Sequence, residues 1–167
     1  LRALAEIDSL TCLQRRHQSV KEFNRLLKLA DRQQTTLCFA ILDLDRFKHV
    51  NDFYGHDVGD QVLKTLGDYL RKTFRGEDVL ARWGGEEFVV GLYGISKELA
   101  VQRLSAVLQA FNQHAFLGTK KHLFHVSFSG GVSEYPKNGK DIQTLYRSAD
   151  RALYSAKAAG RNQILSS

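Results

Sequence analysis

The chain has 167 residues, 43% hydrophobic and 25% charged, which suits one domain with a full core and argues against disorder. Two cysteines, Cys12 and Cys38, sit in no CxxC and no cluster with histidine, which argues against a disulfide framework or a structural zinc site; the longest wholly apolar run, Leu37–Leu42, is far short of a membrane span. The net charge of +6, from 24 basic and 18 acidic side chains, favours anionic partners such as nucleotides or nucleic acid.

The chain opens on LRALAE, helix-forming residues that read as the end of a connecting helix over residues 1–10, with a single domain over 8–167. Val20, Phe23, Leu26, Leu27 and Ala30 follow helical spacing and predict a helix from about Gln18 to Gln33. LCFAILDLD then reads as a buried strand. In RFKHVNDFYG, Phe47, Val50 and Tyr54 share a helix face that Gly55 ends. Val62, Leu63, Leu66, Leu70 and Phe74 predict a longer helix over 58–74. Val79–Leu92 reads as strand, Gly-Gly turn and strand, a hairpin whose glycines are expected to supply positive φ. A helix over 97–113 follows, with Ala100, Leu104, Val107, Leu108 and Phe111 inward. HLFHVSFSGGVSEY reads as one strand, and residues 141–159 as a last helix capped by Gly160. Helices alternate with strands, yet one strand pair is a hairpin. The fold class is therefore α+β, a mixed or antiparallel sheet flanked by helices, with GGEEF on a β-hairpin.

Two constellations of acids stand out. Asp43 and Asp45 end an apolar strand, where residues two apart point the same way. Ionised carboxylates there are costly unless solvated or paired. A divalent cation with oxygen preference would relieve them and leave positions for phosphate; the start of the following helix would also welcome their charge. Glu86 and Glu87 directly follow Gly84 and Gly85. In regular strand geometry they would point to opposite faces, so that one meets Asp43 over a metal while the other does different work. Two carboxylate-bearing strands and a glycine turn point to phosphoryl-transfer chemistry.

GGEEF at 84–88 resembles the signature of the GGDEF domain, the catalytic module of bacterial diguanylate cyclases. The likeness extends through DSLTCL (8–13), FAILDLDRFKHVNDFYGHDVGD (39–60), RGED (75–78), FSGGVSEYP (128–136) and ADRALYSAKAAGRN (149–162), in the family's order and spacing. It implies a nucleotidyl-cyclase, polymerase-palm-like fold and the condensation of two GTP into cyclic di-GMP and two pyrophosphates. It implies Mg2+ or Mn2+, two per site, held by Asp43, Glu86 and the Leu44 carbonyl, with Glu87 assisting 3′-hydroxyl deprotonation and Asp45 in support. Asn51 and Asp60 would read guanine. Lys48, Lys157, Arg161, the amides around Arg46 and Phe47, and the glycine turn at Gly84 and Gly85 would hold phosphate. Arg75 and Asp78, an RxxD at the family's spacing from GGEEF, would bind cyclic di-GMP as an inhibitor, with Arg103 contributing. The resemblance further implies a homodimer for catalysis and cytoplasmic GTP as substrate. A non-catalytic nucleotide or cyclic di-GMP receptor is the alternative. No interleaved aromatic and basic motif suggests nucleic acid, and no membrane contact is expected of this segment. The early block departs from the family's DxLTGLxNRR: Cys12 replaces glycine, Gln14 replaces asparagine, and one residue fewer separates Leu13 from Arg15. The chain has no methionine, and one inserted between Leu13 and Gln14 would restore the spacing.

Overall fold

The computed structural model describes residues 6–167. A six-stranded mixed sheet runs in the order β1–β3–β4–β2–β7–β8. Its strands are β1 (Gln14–Arg15), β2 (Leu37–Leu44), β3 (Val79–Arg82), β4 (Glu87–Tyr93), β7 (Phe128–Tyr135) and β8 (Ile164–Ser166). The long central strand β2 pairs antiparallel with β4 and β7, while the short edges β1 and β8 pair parallel to β3 and β7. Five helices pack around it: α1 (Arg16–Gln33), α2 (Phe47–Tyr54), α3 (His56–Thr73), α4 (Lys97–Gln113) and α5 (Ile142–Ala158). The α+β architecture expected from the hairpin is the one observed.

The period of two along β2 sorts its side chains between two cores. Cys38, Ala40, Leu42 and Leu44 join the core that includes Val62, Leu66 and Leu104 from α3 and α4. Leu37, Phe39 and Ile41 join the opposite core with Phe23 and Leu26 of α1 and Leu145, Ala149 and Leu153 of α5. Phe39 is fully buried against Phe23 at 4.8 Å between ring centroids, and burial of such a ring contributes about 2–3 kcal/mol. Helix α5 lies directly on β7 at Gly131, where a Cβ would fall 2.0 Å from the Ala149 carbonyl oxygen. This close approach fixes the height of α5 over the sheet.

Three expectations change. The single strand read over 122–135 is two. A small hairpin of β5 (Phe116–Leu117) and β6 (Leu123–Phe124) precedes β7, and residues 125–127 between them belong to no strand. The alternation at Phe124, Val126 and Phe128 continues across that break because all three pack on the same core. Within the connecting helix read over 1–10, residues 1–5 lie outside the described residues. Ile7 bridges to Gln14, and residues 9–11 form a turn. That shortened block closes with the Asp8 amide donating to the Leu13 carbonyl at 2.7 Å. Cys12 there adopts φ 61°, the left-handed region where the family's glycine carries no Cβ penalty. Finally, neither Gly84 nor Gly85 has positive φ; among glycines only Gly55, Gly94 and Gly160 do.

Candidate active site

Asp43 falls on the α1/α5 face of β2, two residues beyond Ile41. Its register partner is Glu87, the first residue of β4, so these two carboxylates share a face. Glu86 lies in the turn rather than in the strand, with its carbonyl accepting from the Leu44 amide at 3.3 Å. The strand-face alternation expected for Glu86 and Glu87 therefore does not apply; the turn swings Glu86 toward the end of β2 while Glu87 stays on the ladder.

Charge at this point is left partly unresolved. Lys157 of α5 pairs with Asp43 Oδ2, but Asp43 Oδ1 is buried with no hydrogen-bond partner. Burial, and then the Asp43 carboxylate, push the Glu86 carboxyl above its usual range, with Lys157 opposing. Burial also raises Glu87, against the lowering effect of Tyr146, whose hydroxyl donates to the Glu87 carboxylate at 3.2 Å. An orphaned buried carboxylate oxygen is costly unless a cation completes it. Among the described residues no three histidine, cysteine or carboxylate side chains form a metal cluster. The donors present, two carboxylates and the Leu44 carbonyl, suit a hard cation such as Mg2+, which takes one or two carboxylates and fills its shell with water and phosphate.

A cavity of about 470 Å³ opens over these groups. The end of β2 and its turn line it with Asp43, Leu44 and Asp45, and the start of α2 with Arg46, Phe47 and Lys48. The hairpin contributes Gly85, Glu86 and Glu87, and the end of α5 contributes Lys157 and Arg161. Arg46 at φ 56° and Arg161 at φ 65° are both left-handed, a concentration of non-glycine strain at one cavity. A Cβ on Gly85 would meet nothing within 4 Å, and one on Gly84 only Glu87 Cβ at 3.7 Å. Neither the turn nor the packing requires these glycines, so what they leave open is space for something outside the chain. Asp45 has both carboxylate oxygens hydrogen-bonded within the chain. It is buried, accepting from Ser127 Oγ at 2.6 Å, Ser129 Oγ at 2.7 Å and the Asn162 amide at 3.0 Å; it ties the start of α2 to β7 and to the turn after α5.

Asn51 and Asp60 lie outside that cavity, on α2 and α3. Gly59 brings them together: a Cβ there would fall 1.8 Å from Asn51 Oδ1. The Asn51 amide thus rests on the backbone next to Asp60, an arrangement only glycine permits. Arg75, Asp78 and Arg103 line a separate cavity of about 320 Å³ with Tyr93 and Ile95. There Arg75 pairs with Glu77 at 3.6 Å, and its amide donates to Asp78 Oδ2 at 3.1 Å.

Two residues with no role assigned from the sequence support the turn. Arg82 donates to the Gly85 carbonyl at 2.8 Å from Nη2 and 3.1 Å from Nε, and to the Gly84 carbonyl at 3.3 Å. Its Nη1 pairs with Asp8 at 3.3 Å, a carboxylate that also accepts from the Thr11 amide and hydroxyl. Tyr146 falls within the helix read over 141–159, and the contact its hydroxyl makes shows only in the fold. Arg82 sits beside the glycines, and its adjacency was the only available signal.

The chain is 39% identical over 158 residues to diguanylate cyclase DgcS of Shewanella oneidensis, covering 95% of this chain and 51% of that protein. It is 37% identical over 163 residues to the cyclic di-GMP phosphodiesterase NbdA of Pseudomonas aeruginosa, covering 97% of this chain and 20% of that one. The chain thus spans about half or less of the curated relatives it matches. The crystal structure of the GGDEF domain of DgcB from Caulobacter crescentus in complex with c-di-GMP superposes with a TM-score of 0.90 at 28% identity, covering 97% of this chain and 93% of that one. The family model "Diguanylate cyclase, GGDEF domain" matches residues 5–163, and the chain belongs to that family.

Proposed function

We propose that this domain condenses two GTP into cyclic di-GMP and two pyrophosphates. The observation that carries the reading is the gathering, in one cavity, of Asp43 with an orphaned Oδ1, Glu86 with its raised carboxyl, and the cations Lys48, Lys157 and Arg161. Asp43, Glu86 and the Leu44 carbonyl would hold Mg2+ or Mn2+, two ions per site, which when bound supply Lewis acidity toward phosphate and lower the pKa of the attacking 3′-hydroxyl. Lys48, Lys157, Arg161 and the amides at the start of α2 hold the triphosphate. Gly84 and Gly85 give it room. Asn51 and Asp60 accept and donate along the guanine edge; adenine would leave them unpaired, which is a strong basis for rejection. Glu87, held by Tyr146, stands beside Asp43 to assist proton removal.

Each cavity takes one GTP, and the new bonds join two. Two domains must therefore face each other as a homodimer, at least transiently. Arg75, Asp78 and Arg103 bind the product away from the reaction, which makes the domain self-limiting. The substrate places the reaction in the cytoplasm; no described helix is long and apolar enough to cross a membrane. Incubation of the purified protein with GTP and Mg2+ should yield cyclic di-GMP, detected by mass spectrometry. Tight nucleotide binding with no product at high protein concentration would replace this reading with that of a receptor.

A further inference from the structure

A second, larger cavity of about 690 Å³ lies on the α1/α5 side of the hairpin, outside the residues assigned to GTP or product. Arg16 and Val20 of α1 line one wall, Ile142 and Arg147 of α5 the other, and Trp83 and Tyr146 contribute an aromatic floor. The two rings are stacked at 5.6 Å with 7° between their planes, and the Arg16 guanidinium lies over Trp83 at 4.6 Å from the centroid. Trp83 Nε1 is anchored to the buried Ser19 hydroxyl at 2.7 Å. The floor is therefore held in place before anything binds.

Cations outnumber acids along its lining, Arg16 and Arg147 against Asp141. Arg16 and Arg147 are exposed and make no ion pair among the described residues. Asp141, the acid beside Arg147, has Oδ1 committed to the Thr144 amide at 2.8 Å as the cap of α5. Two exposed guanidiniums on facing helices, Arg16 resting over Trp83 and Arg147 beside Asp141, border a fixed aromatic floor and match a flat ring that carries an anionic group. The ring meets the aromatic pair, and guanidinium forks bind phosphate or carboxylate.

We infer that this cavity is a second ligand seat, for a planar aromatic anion of the nucleoside-monophosphate class. It is separate from the catalytic cavity and backs onto it, because Tyr146 forms its floor and donates to Glu87.

Trp83 is the only tryptophan in the chain, so its fluorescence reports the seat directly. Titration of the intact protein with adenosine monophosphate, a flat purine that lacks the guanine edge, should change Trp83 emission along a saturable curve. Arg16→Ala combined with Arg147→Ala should weaken that binding about tenfold. Arg147→Glu, at an exposed helix position that leaves the stack intact, should weaken it as well and serves if the double variant does not fold. GTP, read by equilibrium dialysis, should bind all of these variants as it binds the parent. A non-saturable response, or an affinity unchanged in Arg147→Glu, would overturn the inference; the latter is what binding in the catalytic cavity would produce.

Discussion

The β3–β4 hairpin has a cavity at each end, and the two handle charge in opposite ways. At the turn end, Asp43 and Glu86 are crowded together with one lysine, an oxygen is left orphaned, and burial raises the Glu86 carboxyl. At the other end, beside Leu92 and Tyr93, Arg75 and Glu77 pair in the open, at 75% and 60% side-chain exposure. The first arrangement costs folding energy, which the proposed cation and phosphates would offset. The second costs the fold almost nothing, since exposed pairs contribute little. The proposed chemistry thus draws on crowded, buried carboxylates at one end, and the proposed product contact on an exposed ion pair beside the half-buried Asp78 at the other.

The sharpest way to break this contrast is at the strained end. Asp43→Asn or Glu86→Gln should lower cyclic di-GMP formation more than about a hundredfold. The same Glu86→Gln change should raise the melting temperature in metal-free buffer at neutral pH. The sign follows from the raised carboxyl: the folded state holds that proton more tightly than the unfolded state, so ionisation as pH rises destabilises the fold. Calorimetry in chelator that finds Glu86→Gln less stable would contradict the assignment of strain.

Gly59→Ala tests whether the proposed guanine contacts, Asn51 and Asp60, are set by backbone contact. The added methyl must displace the Asn51 amide, so KM for GTP should rise about tenfold with kcat changed far less. Steady-state kinetics with GTP and inosine triphosphate will separate this from a general loss of structure, because inosine lacks the amino group that the carboxylate accepts.

At the solvated end, Arg75→Ala should weaken cyclic di-GMP binding about tenfold and relieve inhibition. It should shift stability by less than about 0.5 kcal/mol. Isothermal titration and urea denaturation on the same variant decide both halves. Asp8→Ala, which removes the carboxylate linking the N-terminal segment to Arg82, should cost about 2–3 kcal/mol in urea unfolding.

Much of the fold was legible because hydrophobic period is local. The helix over 97–113 was read to the residue, and α1, α3 and α5 within two residues at each end. The short edge strands β1 and β8 were not legible. Two or three residues carry no period, and their pairing with β3 and β7 is made by distant parts of the chain. The break at 125–127 was hidden because an alternating apolar pattern persists where the backbone leaves the sheet.

By itself the sequence determined the class of fold, the family and the identity of the acids and bases at the turn, because motif residues and their spacing are properties of the chain. Only the tertiary structure decided how those charges are balanced. It placed Glu86 in the turn and Glu87 on the ladder, tied Asp45 to β7 and to the turn after α5, and showed that the two glycines leave room without needing positive φ. It also brought Tyr146 and Arg82 to bear on the hairpin. Those outcomes depend on burial and on partners more than 100 residues apart in sequence, such as Lys157 and Asp43, which are 114 apart, and electrostatic balance is a property of such neighbours rather than of the local pattern.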